Sequence, residues 1–251
     1  MIDLAVVLLG LFIGLMVGAT GVGAGTLGAP FLIFLLKIDP FVAAGTDLFM
    51  SVVIKAVGSL MHKRANNIEW RSFSPLAISG VVGSLVGLVV LAYLKQHVDM
   101  NASREVMRHA IGVVLCVCAA AVAFSSRLSA RHEKLDNPAS LGIMGSLVAA
   151  ITAVTGVGVG SLSVPALYFI KGRSQMPSIV GTSLAYATIV TAVGAAGHMA
   201  LGDVNYPLAG LLLLGAVPGV ALGTTLVTRA PAALKPVVAA LLVVSGLRLI
   251  A

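Results

Sequence analysis

A glycine-rich block near the start of the chain has the composition of a backbone anion site. Gly21, Gly23 and Gly25 stand at alternate positions, and Thr26 follows them. Without side chains, the backbone N–H groups of such a block can be approached closely by a ligand. A helix that begins at Thr26 would add unpaired N–H groups and roughly half a positive charge directed at the block. Backbone of this kind binds anions without a charged side chain.

The same block occurs twice. Thr20–Pro30 returns as Thr155–Pro165, and Gly45-Thr46-Asp47-Leu48 returns as Gly181-Thr182-Ser183-Leu184. The second block supplies its own candidate residues, which are Gly156, Gly158, Gly160 and Ser161. Paired, glycine-interrupted apolar segments in the two halves of a membrane protein indicate a transporter's binding site. The alternative is that the glycines only allow helices to pack closely.

A polar stripe interrupts the apolar segment 41–61. Asp47, Ser51, Lys55, Gly58 and His62 follow one another at spacings of four, four, three and four, which places them on one helical face. Ionisable groups inside a membrane usually face the bundle interior or a water path. Lys55 is therefore a candidate for attracting an anion, and Asp47 for coupling to protons. Alternatively, Lys55 pairs with Asp47 or extends to the membrane surface.

In the second half the matching positions hold Ser183, Ala187, Thr191, Gly194 and His198. Only the glycine and the histidine are therefore common to both stripes. His62 and His198 are candidates for relaying protons. Equally, each could cap or hydrogen-bond a helix end. The hydroxyls of Thr46, Ser51, Thr182 and Ser183 complete the candidate substrate-binding set.

The elements that position these residues must lie in a membrane. Of 251 residues, 59% are hydrophobic and 10% charged, and the mean hydropathy is +1.06, so polar residues are too few to cover a soluble globule. The apolar stretches are 2–19, 26–36, 41–61, 75–94, 107–124, 139–154, 161–170, 178–200, 207–228 and 233–250. Most approach the ~20 residues that cross a bilayer, but 26–36 and 161–170 are too short.

We therefore predict an all-α polytopic membrane protein made of two repeats, 1–125 and 139–251, joined by a cytoplasmic linker, 126–138. Each repeat is expected to contain a broken, re-entrant helical hairpin followed by three transmembrane helices. The apolar segment 2–19 belongs to the duplicated unit, and Asp3 stands where a signal peptide has a basic leader, so we expect the segment to remain on the mature protein.

The distribution of basic residues predicts the orientation. Ten lysines and arginines fall in the loops 62–72, 126–138, 171–176 and 229–235. The opposite side carries only Lys37, Lys95, Arg104, Arg108 and Arg248. An excess of Lys and Arg marks the cytoplasmic side, so both termini should be periplasmic in the inner membrane of a cell, and the two repeats should be inverted with respect to each other.

Enzymatic motifs are missing from the sequence. It contains no G-x-S-x-G, H-E-x-x-H or paired CxxC, and its acidic and histidine residues do not cluster as metal ligands. Gly23–Gly28 spells G-x-G-x-x-G, but no soluble strand–helix unit surrounds it. Cys116 and Cys118 lie on nearly opposite faces of a predicted helix. We expect no metal, no cofactor and no enzymatic activity, and in the absence of a nucleotide-binding loop any pumping must use ion or substrate gradients.

The two glycine blocks, together with Gly45-Thr46 and Gly181-Thr182-Ser183-Leu184, resemble those of the TauE/SafE family of sulfite exporters over essentially the whole chain. The resemblance implies a bacterial inner-membrane carrier of two repeats that moves sulfite or organosulfonates such as sulfoacetate out of the cell. Ala24 and Val159 stand where the family commonly has a further glycine. Asp47 stands opposite the small polar Ser183, so the resemblance does not fix the substrate.

The sequence thus predicts a secondary transporter that exports a small sulfur-containing anion by alternating access. An anion channel, a transporter of another anion such as thiosulfate or a carboxylate, and a scaffolding subunit are the alternatives. The expected partners are the anion and membrane lipid, with a homodimer left open. The net charge of +7 is spread over short loops, so no nucleic acid is expected.

Overall fold

The structure, a computed structural model, describes residues 2–20, 26–124, 135–171, 176–227 and 231–251, and within these ranges it is helical, without strands. The helices are α1 Ile2–Thr20, α2 Gly28–Leu35, α3 Pro40–Arg64, α4 Trp70–His97, α5 Met100–Phe124, α6 Pro138–Thr155, α7 Val159–Lys171, α8 Met176–Ala200, α9 Tyr206–Val227 and α10 Pro231–Ile250.

Six helices of this described part are long and apolar enough to cross a membrane, namely α3, α4, α5, α6, α8 and α9. Large apolar side chains cover their outer surface: Ile78, Val89 and Leu214 are 71%, 68% and 68% exposed. A surface of this kind fits lipid and not water. The chain is a multi-pass membrane protein, which confirms the predicted fold class. Helices α2 and α7 are too short to cross, as the lengths of 26–36 and 161–170 predicted.

Helices α6 and α7 form a hairpin. The chain leaves α6 at Thr155 and starts α7 at Val159. At the far end of α7, Lys171 Nζ lies 3.2 Å from both carboxylate oxygens of Asp136, two residues before α6 begins. Helix α7 therefore returns to the end of the bundle from which α6 started. The turn between α1 and α2 contains residues 21–25, which lie outside the described part of the chain.

Glycines allow close crossings between the two halves. Gly10 and Gly14 of α1 lie directly against the backbone of Leu212 and Ala216 in α9. In the same way, Gly83 and Gly87 of α4 lie against Ser146 and Ala150 in α6. A Cβ atom at any of these glycines would collide with a backbone carbonyl oxygen of the partner helix. Small residues at helix crossings are a general device for packing in lipid.

Helices α3 and α8, which correspond to each other in the repeat, cross near the middle of the fold. Gly58 of α3 faces Leu184 of α8, and Gly194 of α8 faces Leu48 of α3; a Cβ at either glycine would lie 3.4 or 3.3 Å from the leucine methyl group. The two glycines are equivalent in the repeat, and so are the two leucines. The order of these contacts shows that α3 and α8 are antiparallel.

Ion pairs mark the two ends of the bundle. At one, which we call the Lys171 end, Lys171 contacts Glu69 of the α3–α4 loop at 2.9 Å as well as Asp136. At the other, the Lys95 end, Lys95 contacts Asp203 at 2.6 Å and Arg104 contacts Asp39. Described residues of three loops that the basic residues assign to one side, 62–72, 126–138 and 171–176, thus meet at the Lys171 end.

Candidate functional site

The turn between α6 and α7 requires glycine at two positions. Gly156 ends α6 in the left-handed conformation, with φ of 76°, and donates its N–H to Thr152 O at 2.8 Å. Gly158 has φ of 120°. Residues with a side chain adopt these angles only with strain. A Cβ at Gly156 would also lie 3.0 Å from Ala44 Cα, so the turn is seated directly against α3.

The first turn of α7 presents unpaired backbone donors inside the protein. Its first helical hydrogen bond runs from Leu162 N to Gly158 O, at 2.8 Å. The N–H groups of Val159, Gly160 and Ser161 precede that bond, and no acceptor for them occurs in the described ranges. These residues are buried, with Ser161 only 1% exposed. The start of α7 is therefore a buried, partly positive surface with donors to spare.

Two hydroxyls accompany these donors. Ser161 lies beside the Cys118 thiol of α5, and its Oγ makes no hydrogen bond of ordinary geometry to any described residue. Two residues further on, Ser163 Oγ hydrogen-bonds both Val159 O and, at 2.6 Å, Ser183 Oγ of α8. Ser161 and Ser183, both predicted as substrate ligands, are thus brought to the first turn and a half of α7.

The polar stripe of α3 is buried, as its spacing predicted. Asp47 and Ser51 are fully buried, and Lys55 is 2% exposed. Neither carboxylate oxygen of Asp47 nor the hydroxyl of Ser51 has a hydrogen-bond partner in the part of the chain that the structure describes. The charges of Asp47 and Lys55 attract each other along the helix. Buried polar groups without partners are costly, so Asp47 and Ser51 are candidates for contact with a ligand or water.

Asp47 also contacts the start of the short helix α2. A Cβ at Gly28, the first residue of α2, would collide with Asp47 Oδ1. In the repeat, Gly28 corresponds to Ser163 and Asp47 to Ser183, the hydrogen-bonded serine pair of the second half. The same contact is thus built from glycine and aspartate in one half and from two serines in the other.

Thr46 and Thr182 hold loops in place. Thr46 Oγ1 accepts a hydrogen bond from Asn205 N at 3.0 Å, just before α9. Thr182 Oγ1 accepts one from Glu69 N at 2.9 Å, just before α4. The two bonds are equivalent in the repeat, and each ties a loop to the helix of the other half. A role for either threonine as a substrate ligand remains a prediction.

The two histidines lie at opposite ends of the bundle. His198 is fully buried, with Nε2 3.0 Å from Ala153 O and Nδ1 3.6 Å from Asp203 Oδ2. Burial raises the pKa of the Asp203 carboxyl, but His198 and Lys95 outweigh this effect and leave the pKa below its ordinary value. His62 is half-buried, with Nδ1 3.5 Å from Asn67 Nδ2. Both rings therefore contact the loop that follows their helix, and proton transfer by either remains a prediction.

The first glycine block cannot be placed in the same way. Gly21, Gly23 and Gly25 lie outside the described residues, while Thr26 is buried. Because inverted repeats place equivalent breaks face to face, the repeat predicts that the two blocks converge on one cavity. Sequence reasoning missed Gly28, Ser163 and Cys118. The first two carried a signal, because both the glycine-to-serine and the aspartate-to-serine differences are visible when the repeats are aligned.

Comparisons with known proteins identify the family of the chain and a class of membrane transporters. The family model "Sulfite exporter TauE/SafE" matches residues 6–249. The chain is 32% identical to the probable membrane transporter protein YjnA of Bacillus subtilis (strain 168), over 99% of this chain and 100% of the relative. It is 26% identical to a probable membrane transporter protein of Xylella fastidiosa (strain Temecula1), over 86% and 82% of the two chains. No solved structure matches the chain.

Proposed function

Because the chain belongs to the sulfite exporter TauE/SafE family, we propose that this membrane transporter is a secondary carrier that exports a small sulfur-containing anion. Sulfite and organosulfonates such as sulfoacetate are the proposed substrates, and the inner membrane is the proposed location. The observation that carries the proposal is the buried first turn of α7. Its backbone N–H groups and the Ser161 hydroxyl have no hydrogen-bond partner among the described residues.

An oxyanion suits this surface chemically. Its oxygens can accept from the N–H groups of Val159, Gly160 and Ser161 and from the Ser161 hydroxyl, and the helix dipole favours its charge. Lys55 would add attraction from α3, since its ammonium forms no ion pair within 4 Å in the described part of the chain. Gly156 and Gly158 keep side chains away from the site, as Gly21, Gly23, Gly25 and Gly160 would also do.

The arrangement of the repeats supports alternating access as the proposed mechanism. The corresponding helices α3 and α8 are antiparallel, and matched contacts join the halves at both ends, which supports an inverted relation between them. In inverted repeats the movement of one half against the other exposes a central site to each side in turn. The excess of basic residues at the Lys171 end supports a cytoplasmic position for that end.

Asp47 is the proposed coupling residue. Its carboxylate is buried, lacks a hydrogen-bond partner among the described residues and lies one to two turns from Ser51 and Lys55 on the same face. A carboxyl group that is exposed to each side in turn can couple the movement of a proton to that of the substrate. His62 and His198 would serve at the two ends of such a path.

The test is transport of labelled sulfite and sulfoacetate into proteoliposomes. We expect a flux that saturates with substrate concentration, and a higher KM in Ser161→Ala and Lys55→Gln. Lys63→Gln is the matched control, because Lys63 is exposed and makes no ion pair among the described residues. A conductive, non-saturating flux would instead establish the channel alternative, for which the polar stripe of α3 would be the pore lining. Absence of any protein-dependent flux of either anion would refute the proposal.

A further inference from the structure

A basic cavity lies at the Lys95 end of the bundle, away from the start of α7. It has a volume of about 590 Å³ and lies between the α2–α3 loop and the first turns of α5. Charged side chains from both elements line it: Lys37, Asp39, Arg104, Glu105 and Arg108. Arg104 and Arg108 are four residues apart, so they share one face of α5.

The acidic residues do not neutralise this cavity. Both carboxylate oxygens of Asp39 already have partners: Oδ2 accepts from Arg104 Nε at 2.5 Å, and Oδ1 accepts from Phe41 N at 2.9 Å. Glu105 is exposed and pairs with neither Lys37 nor Arg108 within the described ranges. Two cations therefore remain for one free carboxylate.

Arg108 is the group that most needs a partner. Its Nε is buried, and no described residue accepts a hydrogen bond from it. A guanidinium stays charged at any physiological pH and presents its donors as a planar fork. A buried N–H without an acceptor is costly, and an oxyanion could satisfy the fork with two parallel hydrogen bonds.

Lys37 occupies a backbone conformation that suits glycine better. Its φ is 54°, in the left-handed region, directly after α2. Side chains other than glycine, asparagine and aspartate are uncommon there. In this position the lysine side chain lines the basic cavity.

We propose that this cavity binds a small oxyanion, with Arg108 and Lys37 as its ligands. Its part in transport, as the place that holds the anion at the periplasmic mouth, rests on the proposed function; the binding itself does not. A cavity with an excess of positive charge concentrates anions, so this site would raise the local concentration of substrate beside the pathway.

A single tryptophan at the cavity can report binding. The chain has one tryptophan, Trp70, at the opposite end. In a Trp70→Phe background, Asn101→Trp places the reporter on an exposed residue that lines the cavity. Iodide is an anion that quenches tryptophan on contact, whereas acrylamide quenches it without charge. We expect iodide quenching to saturate, and sulfate or sulfite at constant ionic strength to reverse it.

The variants then identify the ligands. Arg108→Gln should weaken the apparent iodide affinity by about tenfold, the value of one charge-assisted hydrogen bond. Lys37→Gly should weaken it by about threefold while relieving the strained φ, so its folding is protected. Lys63→Gln should change nothing. Acrylamide quenching should be the same in all variants, which shows that the reporter's surroundings are intact.

Linear iodide quenching that is the same with and without Arg108 and Lys37 would overturn the inference. If Arg108→Gln fails to fold, Lys37→Gly decides by the same criterion. The result is separable from the proposed function. Saturable quenching without flux would support the cavity and refute the carrier, and flux without saturable quenching would do the reverse.

Discussion

The contact between Gly28 and Asp47 should behave as a coupled pair. Gly28→Ala would place a methyl group against Asp47 Oδ1, and Met50 Cε, 3.5 Å from the same point, limits the room on another side. The carboxylate would have to rotate inside a fully buried site that offers it no partner among the described residues. Overpacking of a core costs about 1–3 kcal/mol. Because a side chain and not backbone must move, we expect about 1–2 kcal/mol.

Shortening the aspartate should remove this cost. In an Asp47→Ser background the colliding oxygen is gone, so Gly28→Ala should be nearly neutral, and the coupling free energy should equal the whole cost of about 1–2 kcal/mol. The double variant Gly28→Ser/Asp47→Ser should also be nearly as stable as Asp47→Ser alone, since it copies the bonded pair Ser163–Ser183 into the first half.

Thermal unfolding of the purified protein in detergent measures the coupling between residues 28 and 47. For a chain of this size, a cost of about 1–2 kcal/mol lowers Tm by about 2–8 °C. Gly210→Ala is the matched control, because a Cβ there meets nothing within 4 Å. Its Tm should stay the same or rise slightly. An equal Tm loss for Gly28→Ala in the presence and absence of Asp47 would refute the reasoning.

Further variants test other parts of the account. Gly158→Val should abolish transport while the protein still reaches the membrane, because valine cannot adopt φ of 120° without strain; normal transport would show that the turn tolerates a side chain. Lys55→Gln should raise the KM for sulfite without lowering the yield of folded protein; loss of yield that Asp47→Asn restores would instead indicate a structural pair. Thr182→Val should lower the free energy of unfolding by about 1–2 kcal/mol, since Glu69 N loses its acceptor, and unchanged unfolding would count against that bond. Asp203→Asn should destabilise the protein near neutral pH, where the lowered pKa contributes stability. This contribution should disappear as the pH falls below the ordinary value of 3.8 and through the folded-state pKa, so the difference between wild type and variant should narrow in acid; a difference independent of pH would contradict the pKa direction.

The sequence predicted those features that depend on local pattern. Segments 26–36 and 161–170 were recognised as too short to cross because length alone decides this, and α2 and α7 have the corresponding positions. Spacing along one helix predicted that Asp47, Ser51 and Lys55 share a face, and all three are buried.

Contacts between distant residues were not predictable in this way. Helix α4 begins at Trp70, five residues before the apolar stretch that marked it, and at this start Glu69 N donates a hydrogen bond to Thr182 of the other half. The crossing of α1 and α9 depends on Gly10 and its fit to Leu212, about two hundred positions later. Periodicity contains no information on which helices meet. In the sequence, only the correspondence between the two repeats carries information on such pairs.

Counterflow tests the carrier proposal most directly. Proteoliposomes loaded with unlabelled sulfite are diluted into a trace of labelled sulfite, at alkaline pH under nitrogen so that the anion is neither oxidised nor lost as sulfur dioxide. A carrier whose site faces one side at a time should accumulate label transiently above its equilibrium level, and Gly158→Val should remove this overshoot. Label that only rises to equilibrium in the wild-type protein, without an overshoot, would contradict alternating access.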